Sequence, residues 1–115
     1  MDFAATEAVV GIDVGSTEIK VLVADRAGVV LSLRRTPTQW HRTADGHSEL
    51  PAGLLLERVL SAMTDAVQVA ERSAGALRVV SAAITGMAES GVLLDRGGEP
   101  MHPVIAWFEI GRAHV

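Results

Sequence analysis

The sequence predicts an α/β fold built on a mixed sheet, in which three antiparallel strands precede one long helix and a further apolar strand. Short β-branched runs separated by turn residues fill the first 37 positions. Apolar residues at helical spacing follow over 51–73, and a continuous apolar run lies over 78–85. A single helix covers only one face of such a sheet, so the pattern predicts the front part of a larger α/β unit.

The first three predicted strands form an antiparallel meander. They span Glu7–Val14, Ile19–Asp25 and Val29–Pro37. Between the second and third, Arg26-Ala27-Gly28 is predicted to be a tight turn in which Gly28 supplies the backbone conformation. The polar stretch that follows, Thr38–Leu50, is predicted to be a surface loop.

The helix is predicted over Pro51–Ser73, with the proline in its first turn and Gly75 just beyond its end. At about 1.5 Å per residue it is roughly 34 Å long. One apolar stripe is predicted to face the sheet, formed by Leu56, Val59, Leu60, Met63, Val67 and Ala70.

The fourth strand, Arg78–Thr85, is almost wholly apolar. We expect it to pair beside the first strand and to be central, covered on both faces. Two short extended pieces, Val92–Asp95 and Met101–Trp107, are expected to form a hairpin around the turn at 96–98.

Composition excludes several classes of protein. The chain has 115 residues, a formal net charge of −4 and no cysteine. An acidic chain does not bind nucleic acid by bulk charge, and the lack of cysteine excludes disulfide scaffolds and cysteine zinc sites. No apolar run is long enough to span a bilayer, and the acidic start does not resemble a signal peptide. These features predict a cytoplasmic protein that binds neither nucleic acid nor membrane.

The turn between the first two strands carries a candidate phosphate loop, DVGSTEIK from Asp13 to Lys20. An aspartate at a strand end can hold Mg²⁺ through water, and Gly15 lets the backbone approach a phosphate. Ser16 and Thr17 offer turn amides and hydroxyls, and Lys20, the only lysine, adds a positive charge. The motif alone leaves two interpretations open, a phosphate loop or an ordinary hairpin turn with a solvated aspartate.

A second candidate follows the fourth strand, where ligands collect in α/β sheets. In TGMAESG, from Thr85 to Gly91, Glu89 could accept hydrogen bonds from a polyol, or it could be an ordinary surface residue. Trp40 and Trp107 could stack on a sugar face, although packing in the core is the expectation for Trp107. The chain has no Walker P-loop, dinucleotide or nucleophile-elbow motif, and its histidines lack metal-ligand spacing.

Four segments taken in order resemble the N-terminal part of FGGY-family carbohydrate kinases. They are GIDVGSTEIKVLVAD, Trp40 with DGHSELP, ITGMAESGVLLDRGGEP and PVIAWFE. The resemblance covers roughly Val9–Phe108. It implies the ribonuclease H-like fold of the actin and hexokinase ATPase superfamily, ATP and Mg²⁺ as cofactors, and a small sugar or polyol as substrate.

The resemblance also implies roles for individual residues. Gly15, Ser16, Thr17 and Lys20 fall at the loop that contacts ATP phosphates, and Asp13 falls at the magnesium shell. Glu89 stands where glycerol kinases have a substrate-contacting glutamate. Ala88 replaces the neighbouring arginine of that pattern, and the pair departs from the Met-His pair of xylulokinases, so neither substrate is indicated.

The catalytic aspartate of this family lies downstream, so the resemblance implies that residues 1–108 form an incomplete first domain and are inactive alone. Residues 109–115, EIGRAHV, are the translation of a common short-read sequencing adapter, which predicts a non-native tail. An alternative function is a nucleotide-gated regulatory or sugar-sensing protein of the same superfamily. A non-catalytic interaction domain is a third interpretation.

Overall fold

The computed structural model describes residues 5–88 and 90–109, so most of the predicted tail lies outside the described residues. Its elements in chain order are β1 (Thr6–Val14), β2 (Glu18–Asp25), β3 (Val30–Pro37), β4 (His41–Arg42), β5 (Ser48–Leu50), α1 (Ala52–Ala74), β6 (Leu77–Gly86), β7 (Val104–Ile105) and a 3₁₀ turn (Trp107–Glu109). The bounds agree with the predicted strands and helix to within one or two residues.

The main sheet has four strands in the order β3-β2-β1-β6. β1 pairs antiparallel with β2, and β2 pairs antiparallel with β3, which confirms the meander. β6 returns after the helix and pairs in parallel with β1, as expected for a strand reached through a helical crossover. Gly28 has a φ of 86°, which confirms its role in the β2–β3 turn.

One face of this sheet packs against α1. The core lies between them and comprises Ala8, Val10, Ile12, Ile19, Val21 and Val23 from the sheet and Val59, Ala62, Ala66 and Ala70 from the helix. The alanines bring the helix backbone close to the sheet, so the buried Ser32 hydroxyl on β3 donates a 2.6 Å hydrogen bond to the Ala66 carbonyl.

The predicted helical stripe is wrong at two of its six positions. Leu56 and Leu60 are more than half exposed, whereas Ala62 and Ala66 are buried. Hydrophobicity alone selected the leucines, but close packing of the helix on a flat sheet favours the small side chains.

α1 begins and ends close to the residues predicted to start and stop it. Pro51 precedes the first helical residue as the N-cap. At the other end Gly75 adopts a φ of 76° and its amide donates to the Glu71 carbonyl at 3.0 Å, which confirms the glycine stop. No helix among residues 5–88 and 90–109 is both long enough and apolar enough to cross a membrane.

The predicted surface loop over 38–50 is instead a structured segment. β5 within it pairs antiparallel with β4 and with β7, which forms a second small sheet. Thr38 and Leu50 are fully buried. The prediction was right about exposure for most of the segment, since only Thr38, Ser48 and Leu50 are buried. It missed the short strands, because composition does not show whether polar residues bond within the protein or to water.

The predicted hairpin beyond β6 is present in shortened form. Leu94 and Pro100 form an isolated antiparallel bridge around the 96–98 turn, where Gly98 has a φ of 84°. The chain then continues into β7 and the 3₁₀ turn rather than into one extended piece.

Glu7 links three parts of the main sheet at the end opposite Asp13. It accepts a 2.7 Å hydrogen bond from Arg26 in the β2–β3 turn and pairs with Arg78, its register partner on β6. The hydrogen bond from Arg26, together with the charge of Arg78, holds the pKa of the Glu7 carboxyl below its ordinary value. The ion cluster therefore favours the parallel register of β1 and β6.

The prediction that β6 is central and covered on both faces is not met within the described residues. β6 is an edge strand, and Val80 and Ile84 are 47% and 68% exposed. The radius of gyration is 17.2 Å, whereas a compact domain of this length has roughly 13 Å. An apolar sequence indicates that a strand needs to be covered, but it does not show which part of the protein covers that strand.

We expect the 115-residue chain, produced alone, to be marginally stable and prone to aggregation through β6, because an apolar edge strand exposes unpaired backbone groups. Ile84→Lys should therefore reduce aggregation, measured by light scattering during heating. Gln68→Lys adds the same charge on the exposed face of α1 and should not. A soluble monomer with a cooperative melt above about 50 °C would contradict this expectation.

Candidate functional site

Four polar side chains form a row across the main sheet near the carboxyl end of β1. Asp13 pairs with Lys20 on β2 and with Thr85 on β6, and Lys20 pairs with Arg35 on β3. Directly paired residues on neighbouring strands point to the same face. The row Arg35–Lys20–Asp13–Thr85 therefore lies on the face opposite α1.

The charged side chains in this row do not each have an opposite charge as a partner. Lys20 Nζ lies 3.8 Å and Arg35 Nη1 lies 3.7 Å from the same carboxylate oxygen of Glu18. Among the described residues Asp13 has no ion-pair partner within 4 Å, and it is half-buried. The Asp13 carboxylate is thus available to a cation, while two cationic side chains share one counter-charge beside it.

A shallow depression of about 440 Å³ opens on the same face. Its lining is almost entirely apolar and includes Leu22 and Leu33, and the residues around it also include Asp13, Lys20 and Thr85. This apolar depression lies on the sheet face that α1 does not cover.

The turn between β1 and β2 is closed by a 3.0 Å hydrogen bond from the Gly15 amide to the Glu18 carbonyl. A Cβ atom at position 15 would lie 2.7 Å from that carbonyl oxygen. Gly15 is predicted to allow close approach of a phosphate, but the backbone of the turn itself already requires a glycine at this position.

Each carbonyl of the turn is held by the segment that follows β3. The Thr38 hydroxyl donates to the Gly15 carbonyl and the Trp40 indole Nε1–H to the Ser16 carbonyl, both at 2.7 Å. The Thr38 amide donates to the Thr17 carbonyl at 3.0 Å. Within residues 5–88 and 90–109, the Ser16 and Thr17 amides have no acceptor. The turn therefore carries two N–H donors without a protein acceptor, three and four residues after Asp13.

The end of β6 is fastened beside this turn. The Met87 amide donates to the Val14 carbonyl at 3.0 Å, and a Cβ atom at Gly86 would lie 3.2 Å from the same oxygen. Ala88 is exposed in the turn that follows, and Glu89 lies outside the described residues. The second candidate motif thus begins next to the first.

The structure brings together the five loop residues that the sequence singled out: Asp13, Gly15, Ser16, Thr17 and Lys20. Sequence reasoning missed Arg35, which strand pairing could have indicated, and the contacts of Thr38, for which the sequence offers no signal. Trp40 is half-buried, donates its indole N–H to the turn and packs edge-to-face with Phe108, with the ring centroids 6.1 Å apart. The expectation for Trp107 was wrong, because it is 45% exposed and packs edge-to-face on Phe108.

Residues 8–113 match the family model of the N-terminal domain of the FGGY family of carbohydrate kinases. Among curated relatives, the chain is 33% identical over 100 residues to a glycerol kinase of Rhodospirillum centenum, an alignment that covers 86% of this chain and 20% of that protein. It is 30% identical over 103 residues to an apulose kinase of Pectobacterium atrosepticum, covering 89% of this chain and 20% of the relative. The chain spans about a fifth of the length of these relatives.

A solved structure of glycerol kinase with ADP from Plasmodium falciparum superposes with a TM-score of 0.77. The superposition covers 93% of this chain and 21% of that protein at 18% sequence identity. It confirms the predicted actin-like ATPase fold.

We expect Gly15→Ala to destabilise a full-length protein containing this segment by about 1–3 kcal/mol, because the added methyl group must displace the Glu18 carbonyl. Gly11→Ala is the matched control, since a Cβ at Gly11 meets nothing within 4 Å. Urea unfolding of the two variants measures the difference. Equal midpoints would show that the turn accommodates a side chain.

Proposed function

The chain belongs to the FGGY family of carbohydrate kinases, and we propose that it forms the phosphate-binding part of an enzyme that transfers the γ-phosphoryl group of ATP to a hydroxyl of a sugar or polyol. The observation that carries this proposal is the β1–β2 turn, whose carbonyls all accept hydrogen bonds from the 38–40 segment. The Ser16 and Thr17 amides, three and four residues after Asp13, have no acceptor among residues 5–88 and 90–109. Phosphate transfer needs positioning and charge stabilisation, and this turn can contribute to both.

The free amides of Ser16 and Thr17 support a phosphate-binding role. Successive backbone N–H groups form an anion-binding concavity, and the Ser16 and Thr17 hydroxyls add donors at the same place. Lys20 contributes a positive charge from the adjacent row, and Arg35 adds a second. Binding of ATP phosphates would draw these cations away from the shared Glu18 carboxylate.

Asp13 fits a magnesium role by the chemistry of its donor set. Mg²⁺ is usually held by one or two carboxylates together with substrate phosphates and water. Among residues 5–88 and 90–109, no group of three or more acidic or histidine side chains gathers as a metal site. Asp13 would therefore hold the ion with the nucleotide, and the ion would neutralise charge on the transferred group.

The acceptor side of the reaction is proposed to involve the segment after β6. The Met87–Val14 hydrogen bond places the start of this segment beside the phosphate turn. Glu89 is proposed to accept hydrogen bonds from substrate hydroxyls, and Ala88 leaves space where glycerol kinases have an arginine. The named relatives act on glycerol and apulose, which supports a small polyhydroxy compound as the substrate class.

The catalytic base is proposed to come from a part of the kinase outside this chain. The family resemblance puts the aspartate that deprotonates the substrate hydroxyl downstream, and the chain spans 20% of its curated relatives. The 115 residues alone are therefore expected to be inactive, and activity is tested in the full-length kinase.

Asp13→Ala in the full-length kinase should lower turnover by orders of magnitude, because it removes the proposed magnesium carboxylate. The full-length enzyme should consume ATP only with Mg²⁺ and a sugar or polyol. Asp65→Asn is the control, since Asp65 pairs with Arg34 on the α1 face of the sheet. A coupled ADP-release assay measures both variants, and an Asp13→Ala enzyme with full turnover would remove the assignment.

Glu89→Ala should raise KM for the sugar or polyol about 5- to 150-fold with little change in KM for ATP. Loss of one acceptor for a bound hydroxyl costs about 1–3 kcal/mol, which corresponds to that range. Glu99→Ala, just after the 96–98 turn, is the control for loss of a negative charge. If both Michaelis constants stay unchanged, Glu89 does not contact the substrate.

A further inference from the structure

We propose that Thr38 and Trp40 are positioning residues for nucleotide binding: they hold the carbonyls of the β1–β2 turn so that its amides face the phosphates. The inference rests on the proposed function, because it assumes that this turn binds the phosphates of ATP. It extends that function to residues that lie outside the phosphate-loop motif. Neither side chain needs to touch the nucleotide.

The planar peptide group links the held carbonyls to the direction of the free amides. In a trans peptide the C=O and the following N–H point in opposite directions, and no cis bond occurs among the described residues. Holding the Gly15 carbonyl against Thr38 therefore directs the Ser16 amide to the opposite side. Holding the Ser16 carbonyl against Trp40 does the same for the Thr17 amide.

The two donors are themselves held in place. Arg58 on α1 donates from Nη1 to the carbonyls of Thr38 and Gln39, the latter at 3.1 Å. Gln39 has a φ of 57°, the one positive value at a non-glycine residue among the described residues. A left-handed residue between Thr38 and Trp40 is uncommon and needs surrounding contacts to persist. These bonds connect the turn to the helix through the 38–40 segment.

The Thr38 hydroxyl can hold the Gly15 carbonyl firmly because it is buried. Thr38 is fully buried, so water cannot readily replace its hydroxyl as the donor to the Gly15 carbonyl. Without that donor the Gly15–Ser16 peptide is less firmly oriented, although the bonds to the Ser16 and Thr17 carbonyls remain, and its amide spends less time facing the phosphate. Pre-organised donors bind more tightly because their ordering has been completed before the ligand arrives.

A purely structural role is the competing explanation, and the two differ in what they change. A structural role alters thermal stability and affects both substrates together. A positioning role weakens the binding of ligands that carry phosphates and leaves binding of the nucleoside and the sugar unchanged. The two roles are distinguished by comparing the loss of ATP binding with any loss of adenosine or sugar binding.

The test uses the full-length kinase with two variants. Thr38→Val removes the hydroxyl at nearly constant volume, and Trp40→Phe removes the indole N–H while keeping an aromatic ring. Each should raise KM for ATP about 5- to 30-fold, with the KM for the sugar and the inhibition constant of adenosine unchanged. Thr38→Ser keeps the hydroxyl and should restore KM to within about 2-fold of the original.

Thr64→Val is the matched control, because it removes a hydroxyl that donates to the Leu60 carbonyl within α1. It should leave every kinetic constant unchanged. If Thr38→Val does not fold, Trp40→Phe alone decides the question with the same measurements.

Three outcomes would overturn the positioning role: an unchanged KM for ATP in Trp40→Phe, an equal rise in Thr38→Val and Thr38→Ser, or a parallel rise for ATP, adenosine and the sugar. Asp13→Ala separates this inference from the proposed function. If Asp13→Ala abolishes turnover and Trp40→Phe leaves KM for ATP unchanged, only the positioning role is wrong. If Asp13→Ala retains full turnover, the proposed function is wrong.

Discussion

The pairing of β1 with a neighbour on each side is the constraint on which the rest of the structure depends. β1 joins the meander through β2 and the helical crossover through β6, and its inner face carries the buried Ala8, Val10 and Ile12 against α1. A shift of one residue in either register would exchange the two faces of the strand. It would bury Asp13 under the helix and expose the apolar side chains, so the same contacts that form the core also place Asp13 beside Lys20 and Thr85.

Much of this arrangement can be predicted from the sequence, because the main elements carry strong local signals. β1, β2, β3, α1 and β6 are each marked by periodicity and by a turn or stop residue. The small sheet of β4, β5 and β7 has no such signal, since its strands are only two or three residues long. β5 and β7 also pair across more than fifty positions. The exposure of β6 was missed for another reason: an apolar strand looks the same in sequence whether or not the chain itself covers it.

The residues of the candidate site also differ in how clearly the sequence indicates them. Asp13, Gly15, Ser16, Thr17 and Lys20 are contiguous, so a local motif indicates them together. The donors that hold the turn come from Thr38 and Trp40, more than twenty residues away, and their role depends on tertiary contacts that composition and periodicity do not report. Trp40 illustrates the limit well. Its residue type suggested a stacking surface, but the useful atom in the structure is the indole nitrogen.

The turn also shows why a short hairpin can serve as a ligand site without distorting the sheet. A hairpin between two antiparallel strands normally satisfies its own backbone groups or exposes them to water. Here the carbonyls are satisfied from outside the hairpin, by a segment connected to α1 through Arg58. The Ser16 and Thr17 N–H groups on the opposite side of these peptides have no acceptor in the part of the chain that the structure describes. Unpaired donors cost free energy unless water or a ligand accepts from them. The packing of α1 on the sheet stabilises the arrangement that keeps them available, and in this way the core and the site depend on the same helix.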